Sequence, residues 1–139
     1  MGRLFLLLAL CFVACSSKPS KPKRKDEVVL DAVKAALDKH AKEHGAFPVA
    51  SADRTPADGC CTTQEGCGPA MFANLPWVDP AKLPAKLYMQ LTYDSDGKTA
   101  TVHALGNWDC DETYTDTELT GTIDGKAATW TVTQNAVQD

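Results

Sequence analysis

The chain lacks the short signatures that mark several enzyme classes. No G-x-S-x-G nucleophile elbow, no P-loop and no dinucleotide-binding glycine turn occurs in its 139 residues. The paired C-x2-C knuckles of structural zinc sites are also missing, although six cysteines are present. The apolar run that opens the chain is too short to cross a bilayer as a permanent helix. No acidic residue precedes Asp26, whereas all eighteen Asp and Glu and only eight Lys and Arg follow from there, a formal charge of −10 hidden behind the chain's net −4. An acidic domain of this kind is not a nucleic-acid binder in the usual electrostatic sense. Its charge favours solubility and attraction of cations.

What is present begins with Met1-Gly2-Arg3, one positive charge, followed by Leu4-Phe5-Leu6-Leu7-Leu8-Ala9-Leu10 without a polar residue. A charged start and an apolar middle are the parts of a signal peptide. Phe12-Val13-Ala14-Cys15 stands at the cleavage position and resembles the lipobox of bacterial lipoproteins, with Phe12 where Leu is usual. The resemblance implies removal of residues 1–14 and a lipid on Cys15 that tethers the chain to a membrane. Ser16, in place of Asp, implies passage to the outer membrane, so the expected address is the cell envelope. Cys11, preceded by Leu10, is a poorer lipidation candidate. Residues 15–25 are then the lipidated cysteine and a tether of Ser, Pro and basic residues with no apolar side chain to bury, and are expected to be extended and solvated.

Residues 26–139 suit one domain with a modest core. Four cysteines fall in it: Cys60, Cys61, Cys67 and Cys110. In an oxidising compartment two disulfides are the default. A bond between adjacent Cys60 and Cys61 would be strained, so one of them is expected to pair with Cys67 and the other with Cys110. The longer bridge closes a loop of roughly 50 residues and stabilises by about 4 kcal/mol on the chain-entropy estimate. If all four are oxidised, no thiol is left as a nucleophile, and the domain reads as a non-enzyme.

Residues 26–44 carry Val29, Ala32, Val33, Ala36, Leu37, His40 and Ala41 at i, i+3, i+4, i+7, i+8, i+11 and i+12, the stripe of an amphipathic helix. Asp26 and Glu27 suit its positive end, and Gly45 with Pro48 just beyond suits its stop. Residues 46–86 hold six prolines, three glycines and three cysteines with little periodicity, which predicts a long stapled loop. Leu75 and Trp77 are expected to plug its underside into the core. From Leu87 the period becomes two: Leu87, Met89, Leu91 and Tyr93, a turn at residues 94–97, then Ala100, Val102 and Ala104. A second hairpin is expected over residues 118–123 and 127–133, turning at Asp124-Gly125, with Ala128, Trp130 and Val132 on one face. The expected fold class is α+β, one N-terminal amphipathic helix packed on a four-stranded antiparallel sheet with a disulfide-stapled loop.

Gly45-Ala46-Phe47-Pro48 after the helix, and Ala104-Leu105-Gly106-Asn107-Trp108-Asp109 after the second strand, add to this order of parts. Together they resemble the globular heads of type IV pilins and pseudopilins, in which G-x-[YF]-P and A-x-G-D-x-D-x-D stretches occupy those places. Asn107 replaces the first Asp of the latter. The resemblance implies a role as an accessory to a type IV pilus or secretion system, with proteins of such a machine as partners. One departure is large: pilins keep a hydrophobic helical half behind a G-F-T-L-I-E-like junction, whereas here the hydrophobic segment ends in a lipobox. A second reading is a disulfide-stapled envelope lipoprotein that binds or inhibits a protease or a cell-wall component through residues 46–86.

Two constellations remain. His40-Ala41-Lys42-Glu43-His44 matches H-x-x-E-H, but it sits at a helix end before Gly45 with no evident third ligand, which favours solvated, helix-ending histidines. Residues 107–118 can be counted as a twelve-residue calcium loop, with Asn107, Asp109 and Asp111 at positions 1, 3 and 5 and Glu118 at position 12. Glu112 stands where that loop needs Gly, which argues against that geometry; the readings left are a looser calcium site at Asn107, Asp109, Asp111 and Glu118 and an ordinary acidic, solvated loop. His103 is expected to be exposed on the face opposite Val102.

Overall fold

A computed structural model describes residues 25–62, 66–75, 77–111, 114–125 and 127–135. The expected signal peptide, the expected lipidation site Cys15 and the expected tether up to Arg24 lie outside the described residues.

Helix α1, Lys25–His44, buries Val29, Val33, Leu37 and Ala41, one residue per turn along the stripe that the sequence marks. It stops where Gly45 takes φ +72° and donates its N–H to the Ala41 carbonyl at 2.7 Å. The next three residues hold the helix to the sheet. The Phe47 N–H donates to Gly97 O at 2.9 Å, the Phe47 ring is buried, and the Tyr93 hydroxyl donates to Pro48 O at 2.7 Å.

The sheet has five strands, one more than the sequence suggests: β1 Ala50–Thr55, β2 Met89–Ser95, β3 Thr99–Gly106, β4 Thr115–Asp124 and β5 Ala127–Asn135. They lie side by side in chain order, every pair antiparallel. The additional strand, β1, comes from the segment expected to be loop. Ala50 pairs with Ser95 and Ala52 with Tyr93 before the register slips towards Thr55. Its buried-side residues are alanines, too small to give an apolar alternation, and backbone pairing holds it. Leu87, expected to open the first hairpin, instead makes an isolated bridge with Cys67, and the regular ladder starts at Met89.

Met89, Leu91 and Tyr93 of β2, Ala100, Val102 and Ala104 of β3 and Leu119 of β4 face α1 and form the core with its stripe. From β5, Trp130 joins them, stacking 5.3 Å from the Phe47 ring and donating its Nε1–H to Asp38 Oδ1 on α1 at 2.6 Å. It lies over Gly121 of β4, where a Cβ would overlap the indole. Val132, expected to share this cover, is opposite Leu119 yet 61% exposed. The rest of the segment between β1 and β2 is the predicted plug: two 3-10 turns, Pro69–Phe72 and Pro80–Lys82, deliver Phe72, Leu75, Trp77 and Leu83 into the core, with Trp77 4.7 Å from the Tyr93 ring. Opposite this layer, the second face of the sheet is mostly polar, and at one end the loop at Pro56 and Ala57 reaches it through Gln90.

Candidate functional site

At one end of the sheet the two disulfides resolve the pairing. Cys60 bonds Cys67 and Cys61 bonds Cys110. The two bridges have different surroundings. Cys60 and Cys67 are buried in the core, while Cys61 and Cys110 are exposed. The inner bridge anchors the loop beside Leu87, whose N–H and C=O exchange hydrogen bonds with Cys67 at 2.9 and 2.8 Å. The outer one clasps that loop to the connection between β3 and β4.

Asn107, where β3 ends, organises this connection. Its N–H donates to Tyr88 O at 2.7 Å, and its Nδ2 donates to Asp111 O at 2.7 Å, closing a tight turn. Within the turn Cys110 takes φ +59°, a left-handed conformation that costs a non-glycine residue roughly 1–2 kcal/mol. The Asn107 side-chain oxygen is buried and meets no donor.

Between the stapled loop and the sheet lies a cavity of about 290 Å³ whose walls include Asp58, Cys61, Tyr88, Gln90, Asn107 and Tyr114. Gln90 fixes its rim by donating from Nε2 to Pro56 O at 2.6 Å and to Ala57 O at 3.2 Å. Tyr88 stands edge-on to Trp108, 6.2 Å between centroids, and Lys25 Nζ lies 5.3 Å from the Trp108 ring, so α1 starts at this same pole. A half-exposed tyrosine, a carboxylate at the mouth and fixed amides make a wall suited to a ligand carrying both apolar surface and hydrogen-bond donors.

The four residues expected to form a calcium site are not gathered in this way. Asn107 and Asp111 meet through the amide-to-carbonyl bond, and Asp109 is exposed. Glu118 lies inside β4 opposite His103, three register positions from the Gly106–Thr115 pair that ends the ladder, roughly 10 Å along the strand. Because β4 begins at Thr115, the last positions of the counted loop are extended strand and cannot wrap an ion. The donor set therefore does not fit the twelve-residue calcium loop, and among the described residues no group of three or more His, Cys, Asp and Glu is arranged to hold a metal. His40 and His44 stack with centroids 4.3 Å apart, and His40 Nδ1 lies 2.9 Å from Ala46 O, placing both at the helix end as expected.

His103 is half-buried on the polar face of the sheet, with Nδ1 3.4 Å from Asp116 and Nε2 3.4 Å from Glu118. Only the β3–β4 register reveals this grouping, since the carboxylates are thirteen and fifteen residues away in sequence. The cavity residues Asp58, Tyr88, Gln90 and Tyr114 were likewise missed. Tyr88 and Gln90 alternate with the core residues of β2 and read as its solvated side, and nothing local links them to Asp58.

No protein-family model, no curated protein and no solved structure matches the chain. No described helix is long and apolar enough to cross a membrane. The fold defines the class as α+β, a helix on an antiparallel sheet with two disulfides.

Proposed function

We propose that the chain is an exported, lipid-anchored protein of the bacterial envelope that acts by binding, with a pilin-like head serving a type IV pilus or secretion system. The observation that carries binding is the cavity beside the two bridges. Its walls are held by covalent bonds and backbone hydrogen bonds, so little ordering entropy is lost when a partner enters. Anchoring rests on the lipobox-like Phe12-Val13-Ala14-Cys15 and the outer-membrane address on Ser16. What supports the pilin-like reading is a helix lying on an antiparallel sheet, Gly45-Ala46-Phe47-Pro48 pinned to the β2–β3 turn, and Ala104-Leu105-Gly106-Asn107 leading into the bridged connection.

A photo-crosslinking residue at Tyr114, 52% exposed at the cavity, tests it in the intact envelope. The expected result is a discrete adduct containing a pilus or secretion component, lost when Gln90 is changed to Ala. Adducts distributed evenly over positions far from the cavity would contradict it. The alternative, a stapled lipoprotein that binds or inhibits a protease or a cell-wall component, is favoured by the clasped loop itself. It predicts stoichiometric protease inhibition that vanishes on reduction, or an adduct with wall polymer.

A further inference from the structure

The two edges of the sheet are not alike. β1 is short, slips register between Ala52 and Thr55, carries adjacent Asp53 and Arg54 and runs into Pro56, features by which an exposed edge is kept from pairing with another chain. β5 has none of them. Ala127-Ala128-Thr129-Trp130-Thr131-Val132-Thr133-Gln134-Asn135 is nine residues long, regularly paired with β4 along its whole length, and free of charge, proline and glycine. A long, regularly paired, neutral edge is a template for strand addition.

We propose that β5 pairs antiparallel with β5 of a second copy of this chain, giving a two-fold dimer with one continuous ten-stranded sheet. The strand complements itself. With the axis at Thr131, Thr129 meets Thr133 of the second copy on the polar face, and Trp130 meets Val132 on the helix face. This places a side chain that is 61% exposed in the single molecule against a half-buried indole. Charge selects the same edge. Two domains of formal charge −10 repel wherever acidic surfaces meet, and β5 is a nine-residue strip without a carboxylate. Assembly also closes at two, because the pairing is isologous and the strands left at the outer edges are both β1.

Sedimentation velocity of the purified chain, at concentrations on the order of 100 μM, tests the proposal. Wild type is expected to sediment as a dimer. Thr131, exposed on the polar face, tolerates charge in the single molecule but meets its own copy at the axis. Thr131→Lys and Thr131→Glu should each weaken self-association at least tenfold while melting with wild type at dilutions where all three are monomers, and mixing the two variants should restore a dimer. A monomeric wild type, or charged variants that dimerise as well as wild type, would overturn the proposal. A mixture of the two variants that stays monomeric would overturn the antiparallel register about Thr131.

Discussion

Gly121 and Trp130 show how closely the sheet and its cover are matched. The indole crosses the strand pair where Gly121 leaves room and reaches Asp38 on α1, so the smallest and largest side chains of the β4–β5 ladder depend on each other. Gly121→Ala forces the ring away and strains its bond to Asp38. The expected loss is about 1–3 kcal/mol in urea unfolding, and Trp130→Phe in the same background should relieve part of it. Tyr93 gives a pH dependence. Burial is the main cause that holds its hydroxyl above the ordinary 10.0, with the Asp94 charge adding to it and a Ser95 hydrogen bond opposing. The folded state therefore disfavours tyrosinate. Its contribution is fully present below pH 10.0 and is lost as pH rises through the higher folded value. Thermal melts across that range should show stability falling in wild type and falling less in Tyr93→Phe, which also loses the bond to Pro48 at every pH.

Among the elements, α1 and the first hairpin were legible because each buries one face with apolar side chains at its own period, and the second hairpin because Asp124-Gly125 marks its turn between alternating segments. Val29, Val33 and Leu37 recur along a helix, and Met89, Leu91 and Tyr93 alternate along a strand. β1 escaped because Ala50 and Ala52 fill its inward positions and its hydrogen bonds are with β2, far along the chain. The twelve-residue count likewise assumed one loop, whereas its last residues are strand and Glu118 faces His103. The cysteine spacing limited the bridges to one bond from the adjacent pair to Cys67 and one to Cys110, and left open which cysteine takes which. Burial separates the two bonds. Replacing Cys61 and Cys110 by Ser should cost about 4 kcal/mol or less by loop entropy, with the core intact, as read from near-ultraviolet dichroism. In the Cys61→Ser background, Cys110→Gly should be more stable than Cys110→Ser by about 1 kcal/mol, since glycine accepts the positive φ without strain.

At the scale of the molecule, everything distinctive gathers at one pole: the start of α1, both disulfides, the turn at Asn107 and the cavity beside Tyr88 and Tyr114. In the proposed arrangement a tether joins the domain at Lys25, so the anchor leaves from the pole that carries the cavity, and a partner reached there is held near the membrane. Of this grouping the sequence offered the link from the adjacent cysteines to Cys110; the cavity depends on folding residues 58–61 onto residues 88–90, which no local pattern encodes. The account as a whole rests on the lipid at Cys15, and intact mass analysis of the protein extracted from membranes tests it most directly. The predicted species begins at Cys15, lacks residues 1–14 and carries the mass of a diacylglyceryl group, and Cys15→Ser loses both that mass and membrane association. A membrane-extracted chain that begins elsewhere, or that carries no acyl mass, would contradict it.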